Sequence, residues 1–175
     1  EHGVMGLLIK LDSTGTLEWH GQYQYPPENR GAEALAMTQT ADGGYVIGGE
    51  LVNDITKAST YGCWMCKVNA TGGVVWNKAF GHSATIHYPK TIKETPGGQI
   101  LAGGADSKGK MAVAKFTSAG NLVWTYSIPE TYPSVTANDM MLTDDGGCVM
   151  VGSGISSSTV VAKLKNVFTP PSDAD

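Results

Sequence analysis

Cys63-Trp64-Met65-Cys66 has the C-x-x-C spacing of a zinc knuckle or a redox dithiol. Both chemistries need their sulfurs to converge, on a knuckle or at a helix N-terminus. This segment instead reads as a strand, in which side chains three apart point to opposite faces. Cys148 brings the thiols to an odd count of 3, which describes no disulfide framework. Buried packing thiols are the expectation. His20, His82 and His87 are the internal histidines, and the last two flank one connection, Gly81–Tyr88. A metal ion or a proton-transfer task would suit such a pair, but no carboxylate or cysteine stands at ligand spacing. No metal site and no cofactor are expected. Asp42, Asp144 and Asp145 fall in turns, where aspartate ordinarily hydrogen-bonds its own backbone.

A catalytic lysine stands alone, whereas here the lysines recur. Lys10, Lys67, Lys115 and Lys163 are separated by 57, 48 and 48 residues. The first three open the pattern Lys-x4-Gly-x3-Trp, with Gly15 and Trp19, Gly72 and Trp76, and Gly120 and Trp124; the fourth copy is never finished. Recurrence in phase argues for one job done in every repeat: pairing an acid, or covering apolar surface with the lysine stem. The tryptophans read as packing between repeats. No catalytic residue is assigned.

A second mark runs with the first. Thr40-Ala41-Asp42-Gly43-Gly44-Tyr45-Val46-Ile47-Gly48-Gly49 is a tight turn and a short apolar strand, and the design returns around Gly97-Gly98 and Gly146-Gly147. In the middle copy, Pro96 is read in place of the turn aspartate and Gln99 in place of the aromatic residue. A period of roughly 40–50 residues built from such elements points to β-propeller blades. Gly 23 and only 16% charged residues in 175 agree with many short strands and tight turns.

The expected fold is all-β, in four-stranded antiparallel repeats of 48–57 residues. A partial blade covers 1–30, full blades cover 31–84 and 85–133, and a partial blade covers 134–168. Residues 169–175 read as a disordered acidic tail. In the first full blade, strands are expected at Ala34–Thr40, Tyr45–Gly49, Gly62–Val68 and Gly73–Lys78; in the second, at Tyr88–Glu94, Gln99–Gly103, Met111–Phe116 and Asn121–Ser127. Leu8, Met65, Val113 and Val161 line one face of the lysine strand, and Ile9, Cys66, Ala114 and Ala162 line the other. Two apolar faces imply a sheet sandwiched between two others. About three blades fall short of the 4–8 of closed propellers. The expectation is therefore a part of a larger or oligomeric propeller, with apolar faces bare near Leu7–Ile9 and Val160–Ala162 until further blades of the same chain, or another copy, cover them.

A net charge of −4 without a basic cluster lacks the footprint of nucleic-acid binding. No apolar run reaches the roughly 18 residues of a membrane span. Function tends to sit on loops that break a repeat, and Glu50–Tyr61 is longer than its counterpart Ala105–Lys110. Asn53, Asp54, Lys57 and Tyr61 are the candidate contact residues for a protein or glycan partner.

The motifs Thr-x-Asp-Gly-Gly-Tyr-Val-Ile-x-Gly at 40–49 and Lys-Leu-Asp-x-x-Gly-x-x-x-Trp at 10–19 resemble the repeats of secreted bacterial and archaeal β-propeller proteins, mostly of uncharacterised function. The resemblance spans nearly the whole chain and implies a propeller fold and an extracellular or cell-surface setting. The Gly-x-x-x-Trp element also resembles the tryptophan docking motif of pyrroloquinoline-quinone dehydrogenases, which implies shared blade mechanics rather than a shared cofactor. The expected function is a non-catalytic binding or structural module. The alternative is a fragment of an enzymatic propeller, quinoprotein-like or glycan-active.

Overall fold

A computed structural model of the chain describes residues 5–25, 31–52, 62–80, 86–87, 89–129, 134–154 and 159–167. Among the described residues there is no helix, and 13 strands form four antiparallel sheets in chain order. The first sheet is β1 (Gly6–Leu11) and β2 (Leu17–Tyr23). The second is β3 (Gly31–Gln39), β4 (Tyr45–Val52), β5 (Gly62–Val68) and β6 (Val74–Phe80). The third is β7 (Thr91–Glu94), β8 (Ile100–Ala105), β9 (Met111–Phe116) and β10 (Leu122–Ser127). The fourth is β11 (Val135–Leu142), β12 (Cys148–Gly154) and β13 (Thr159–Leu164). Every strand pairs with its neighbour in sequence.

The turns explain why the chain folds back where it does. Thr40, Thr95 and Thr143 each donate their N–H to a carbonyl four residues on, and Gly43, Gly98 and Gly146 each return a bond to the threonine carbonyl. Those three glycines sit at positive φ, which an L side chain resists. This register corrects the alignment read from sequence. Gly97, not Pro96, occupies the place of Asp42 and Asp145; Gln99 occupies that of Gly44 and Gly147, and Ile100 that of Tyr45.

Several strands run further than expected, β3 and β4 by the most. β3 starts at Gly31 and β4 continues to Val52, because the ladder resumes beyond a bulge between Ala34 and Ala36. Gly49 permits that bulge: a Cβ there would stand 1.7 Å from the Glu33 carbonyl oxygen. β7 is shorter than expected, beginning at Thr91, and Pro89 has no N–H with which to extend it.

Three apolar layers lie between the four sheets. Leu8, Tyr23, Ile47, Trp64, Cys66 and Val68 fill the first layer. Val46, Cys63, Met65, Ile92, Ala114 and Phe116 fill the second, and Met111, Val113, Ala137, Met140, Cys148 and Met150 the third. Burying side chains of this size contributes roughly 1.5–3 kcal/mol each. The inner lysine strands, β5 and β9, are buried at every residue. The outer ones are not: β1 and β13 alternate, with Leu7 53%, Ile9 52% and Val161 66% exposed. The two-sided burial expected for all four copies therefore holds only for the copies flanked on both sides.

The first strands of successive sheets lie side by side, β3 against β7 and β7 against β11. The tryptophans join the sheets from strands at the other edge. Trp19 Nε1 donates to the Ala70 carbonyl at 3.0 Å, and Trp76 Nε1 donates to the Ser118 carbonyl at 3.0 Å. Each acceptor lies in the turn of the following sheet, between its third and fourth strands. Gly72 and Gly120 complete the joint, since a Cβ on either would meet the docked indole at 3.0 Å. Trp124 breaks the series. Its Nε1 is buried and has no hydrogen-bond partner among the described residues.

Candidate functional site

The reactive residue types are best placed by what they touch. Lys67 Nζ stands 2.6 Å from Asp42 Oδ2, Lys163 Nζ 2.6 Å from Asp145 Oδ2, and Lys10 Nζ 2.7 Å from Glu18 Oε2. Asp42 also takes bonds from Thr40 Oγ1 and the Gly44 N–H, so its carboxylate closes its own turn and anchors a lysine two strands away. Lys67 and these donors hold the Asp42 carboxyl far below its ordinary value, and Lys163 with Thr143 holds that of Asp145 at about 2. In the third sheet Gly97 supplies no carboxylate, and burial lowers the pKa of Lys115. Pairing with an acid, one of the two jobs inferred from recurrence, is seen at Lys10, Lys67 and Lys163.

The C-x-x-C cysteines face different layers, Cys63 toward the third sheet and Cys66 toward the first. Burial raises all three thiols, that of Cys66 to about 12 and that of Cys148 to about 11. A thiol without thiolate character at neutral pH is inert as a nucleophile.

One polar group belongs to no repeat. Glu33 on β3 and Glu50 on β4 are register partners, directly opposite each other across the ladder. Burial, and then the charge of Glu33, raises the Glu50 carboxyl above its ordinary value, while His87 acts in the other direction. His87 is itself buried, and its backbone N–H bonds the Ala105 carbonyl at 2.7 Å. In the fourth sheet Thr136 and Ser153 stand where these acids do. An acid held partly against ionisation donates a hydrogen bond when protonated and accepts when charged, and a neighbouring imidazole can supply the complementary state.

This cluster lies at the foot of the long connection, whose last rung is Leu51 paired with Gly62. The candidate contact residues Asn53, Asp54, Lys57 and Tyr61 lie outside the described residues, as do His82 and the 169–175 tail. Glu33 and Glu50 escaped sequence reasoning because each fell one residue outside an expected strand, so their pairing could not be read. His20 is exposed on β2, on another sheet.

No family model matches the chain, and no curated protein matches it. Among solved structures, a protein of unknown function from Bacteroides caccae is similar over 93% of this chain and 58% of its own, at 13% identity and a TM-score of 0.49. The eukaryotic initiation factor is similar over 93% of this chain and 44% of its own, at 11% identity and a TM-score of 0.44. The chain thus spans about half the length of these two proteins.

Proposed function

We propose that the chain is a β-propeller segment serving as a non-catalytic binding or structural module of a secreted or cell-surface protein. The observation that carries the propeller reading is the one-directional joint between sheets. Trp19 and Trp76 each reach forward to the turn of the next sheet, while the first strands β3, β7 and β11 gather along the opposite edge. Sheets held at both edges in this order turn about a common line, which is how blades pack. The surface setting rests on the resemblance of the repeat motifs.

The reactive groups support binding over catalysis. The thiols are buried and held protonated, and Lys10, Lys67 and Lys163 are neutralised by carboxylates. The polarity outside the repeat is the Glu33 and Glu50 pair with His87 nearby, next to the Leu51–Gly62 rung, and a hydroxyl-rich or cationic partner would suit it. Glycan and protein arrays test this: the expected result is a ligand whose retention weakens in Glu33→Gln and Glu50→Gln without loss of fold. Cofactor absorbance in purified protein, or turnover on a sugar panel abolished by either substitution, would instead establish the enzymatic alternative. Small-angle scattering that fits a flat slab rather than a curved array would sink the propeller reading.

A further inference from the structure

The first strands of the second, third and fourth sheets share a device. Leu35, Lys90 and Asn138 each stand five residues before a turn threonine, and each is the surplus residue of a bulge. Leu35 falls between the rungs Ala34–Gly49 and Ala36–Gly48, and Asn138 between Ala137–Gly152 and Asp139–Val151. Lys90 donates its N–H to the Gly103 carbonyl at 2.9 Å, while Thr91 is the register partner of that same glycine. A Cβ on Gly152 would strike the Thr136 carbonyl oxygen, so glycine permits this bulge as Gly49 permits its counterpart. A bulge re-aims the side chain of its extra residue and is over-represented beside functional sites.

Here the re-aimed side chains meet. Lys90 Nζ donates to Asn138 Oδ1 at 3.5 Å, and Asn138 Nδ2 donates to Ser153 Oγ at 3.0 Å. The run crosses from the third sheet to the fourth and is exposed along its length. It ends on the rung Thr136–Ser153, the counterpart of Glu33–Glu50 in the second sheet. His87, whose charge acts on Glu50, precedes Lys90 by three residues. Since β3 lies against β7 and β7 against β11, the acids, the ammonium, the amide and the hydroxyl gather at one end of three adjacent first strands.

We infer that this end of the sheets binds a neutral oligosaccharide, with Lys90, Asn138 and Ser153 as contacts beyond the acid pair; the inference rests on the binding reading above. The groups carry opposite charges and mix donors with acceptors. The ammonium only donates, an ionised carboxylate only accepts, and the amide and the hydroxyl do both. A ligand of one sign is drawn to one half of the row and repelled by the other. A sugar hydroxyl donates and accepts on the same atom without charge, so a chain of such hydroxyls satisfies both halves. An ammonium and a carboxamide carry more donors than the bonds along the run use, so the run can serve a ligand without being dismantled. Leu35, 40% exposed, adds an apolar contact in the same row, suited to the C–H face of a sugar ring.

Neutral-glycan arrays, followed by titration calorimetry with the retained sugar, test the site. A neutral oligosaccharide is expected to be retained, and its affinity to fall by about tenfold or more in Lys90→Ala and in Asn138→Ala, as for the loss of one hydrogen bond to a charged or amide group. Ser118→Ala, in the turn at the opposite end of β9, should bind as the parent does. Melting curves separate lost contact from lost fold. Lys90→Gln, which keeps a stem and a donor, is expected to fall between the parent and Lys90→Ala, and serves where an alanine variant melts early. A neutral glycan held equally by the parent, Lys90→Ala and Asn138→Ala overturns this site and leaves the binding reading standing, as does an equal loss in Ser118→Ala. Retention of proteins alone, or of charged glycans alone, overturns the neutral-sugar assignment and also leaves that reading standing. Retention of nothing on glycan or protein arrays overturns both.

Discussion

Asp42 and Lys67 meet at 2.6 Å although one lies in the turn before β4 and the other on β5. The lysine side chain is only 11% exposed, so the contact ties a turn to the middle of its sheet rather than decorating the surface. Removing the carboxylate leaves an enclosed ammonium without that partner and strips two turn bonds. Asp42→Ala is expected to lose about 1–3 kcal/mol of stability in urea unfolding. Asp42→Asn, which keeps an acceptor for Thr40 and Gly44, should lose less.

The same pairs set the acid limb of stability. The carboxyls of Asp42 and Asp145 lie below their ordinary value of 3.8 in the folded chain, that of Asp145 at about 2. A group so depressed contributes stability that is fully present above about pH 4 and is lost as pH falls through the folded value. Melting temperature should therefore drop steeply between about pH 4 and 2. Asp42→Asn/Asp145→Asn should melt lower at neutral pH and show a flatter acid limb, a comparison that scanning calorimetry resolves.

Glu50 has the opposite sign. Its carboxyl is raised above 4.5, so the folded state takes up a proton more readily than the unfolded chain. The ionised form costs stability in full above the raised folded value, and the cost is lost as pH falls through that value toward 4.5. Glu50→Gln is expected to be more stable than the parent at pH 7, by roughly 0.2–1 kcal/mol for a like-charge pair facing across a ladder. The two proteins should converge near pH 3. A Glu50→Gln protein less stable than its parent at pH 7 would contradict the assignment.

Gly120 and Gly98 separate the two demands made on a turn glycine. Both have positive φ, but only Gly120 has an indole against it. Gly98→Ala is expected to cost about 1–2 kcal/mol, for backbone conformation alone. Gly120→Ala must also push Trp76 away, adding about 1–3 kcal/mol. Tryptophan fluorescence should shift in Gly120→Ala and stay unchanged in Gly98→Ala.

The repeat carried much of the fold in its residues alone. Lys-x4-Gly-x3-Trp marked the hairpin between third and fourth strands, and the Gly-Gly turns marked the one between first and second. Strand ends were less legible, because whether a ladder continues past Gly49 depends on a bulge opposite it at Ala34, a property of two segments at once. The Gly97 register was hidden for a related reason. Pro96 attracts alignment with the aspartate, and the bonds that Thr95 makes with Gln99 and Gly98 show otherwise. The acid cluster followed the strand ends: Glu33 and Glu50 become neighbours only once both strands are known to reach them.

The forward reach of the tryptophans also imposes an order on synthesis. The carbonyl that holds Trp19 lies 51 residues downstream, and the one that holds Trp76 lies 42 downstream. A chain growing from its N-terminus thus completes each tryptophan strand well before the turn that will grip it exists. The first and second sheets each leave the ribosome with one indole undocked, and the next sheet's arrival is what fastens it. While the first three sheets are being made, the nascent chain therefore carries a single adhesive edge, at its most recently made sheet, rather than an accumulating set of loose ones.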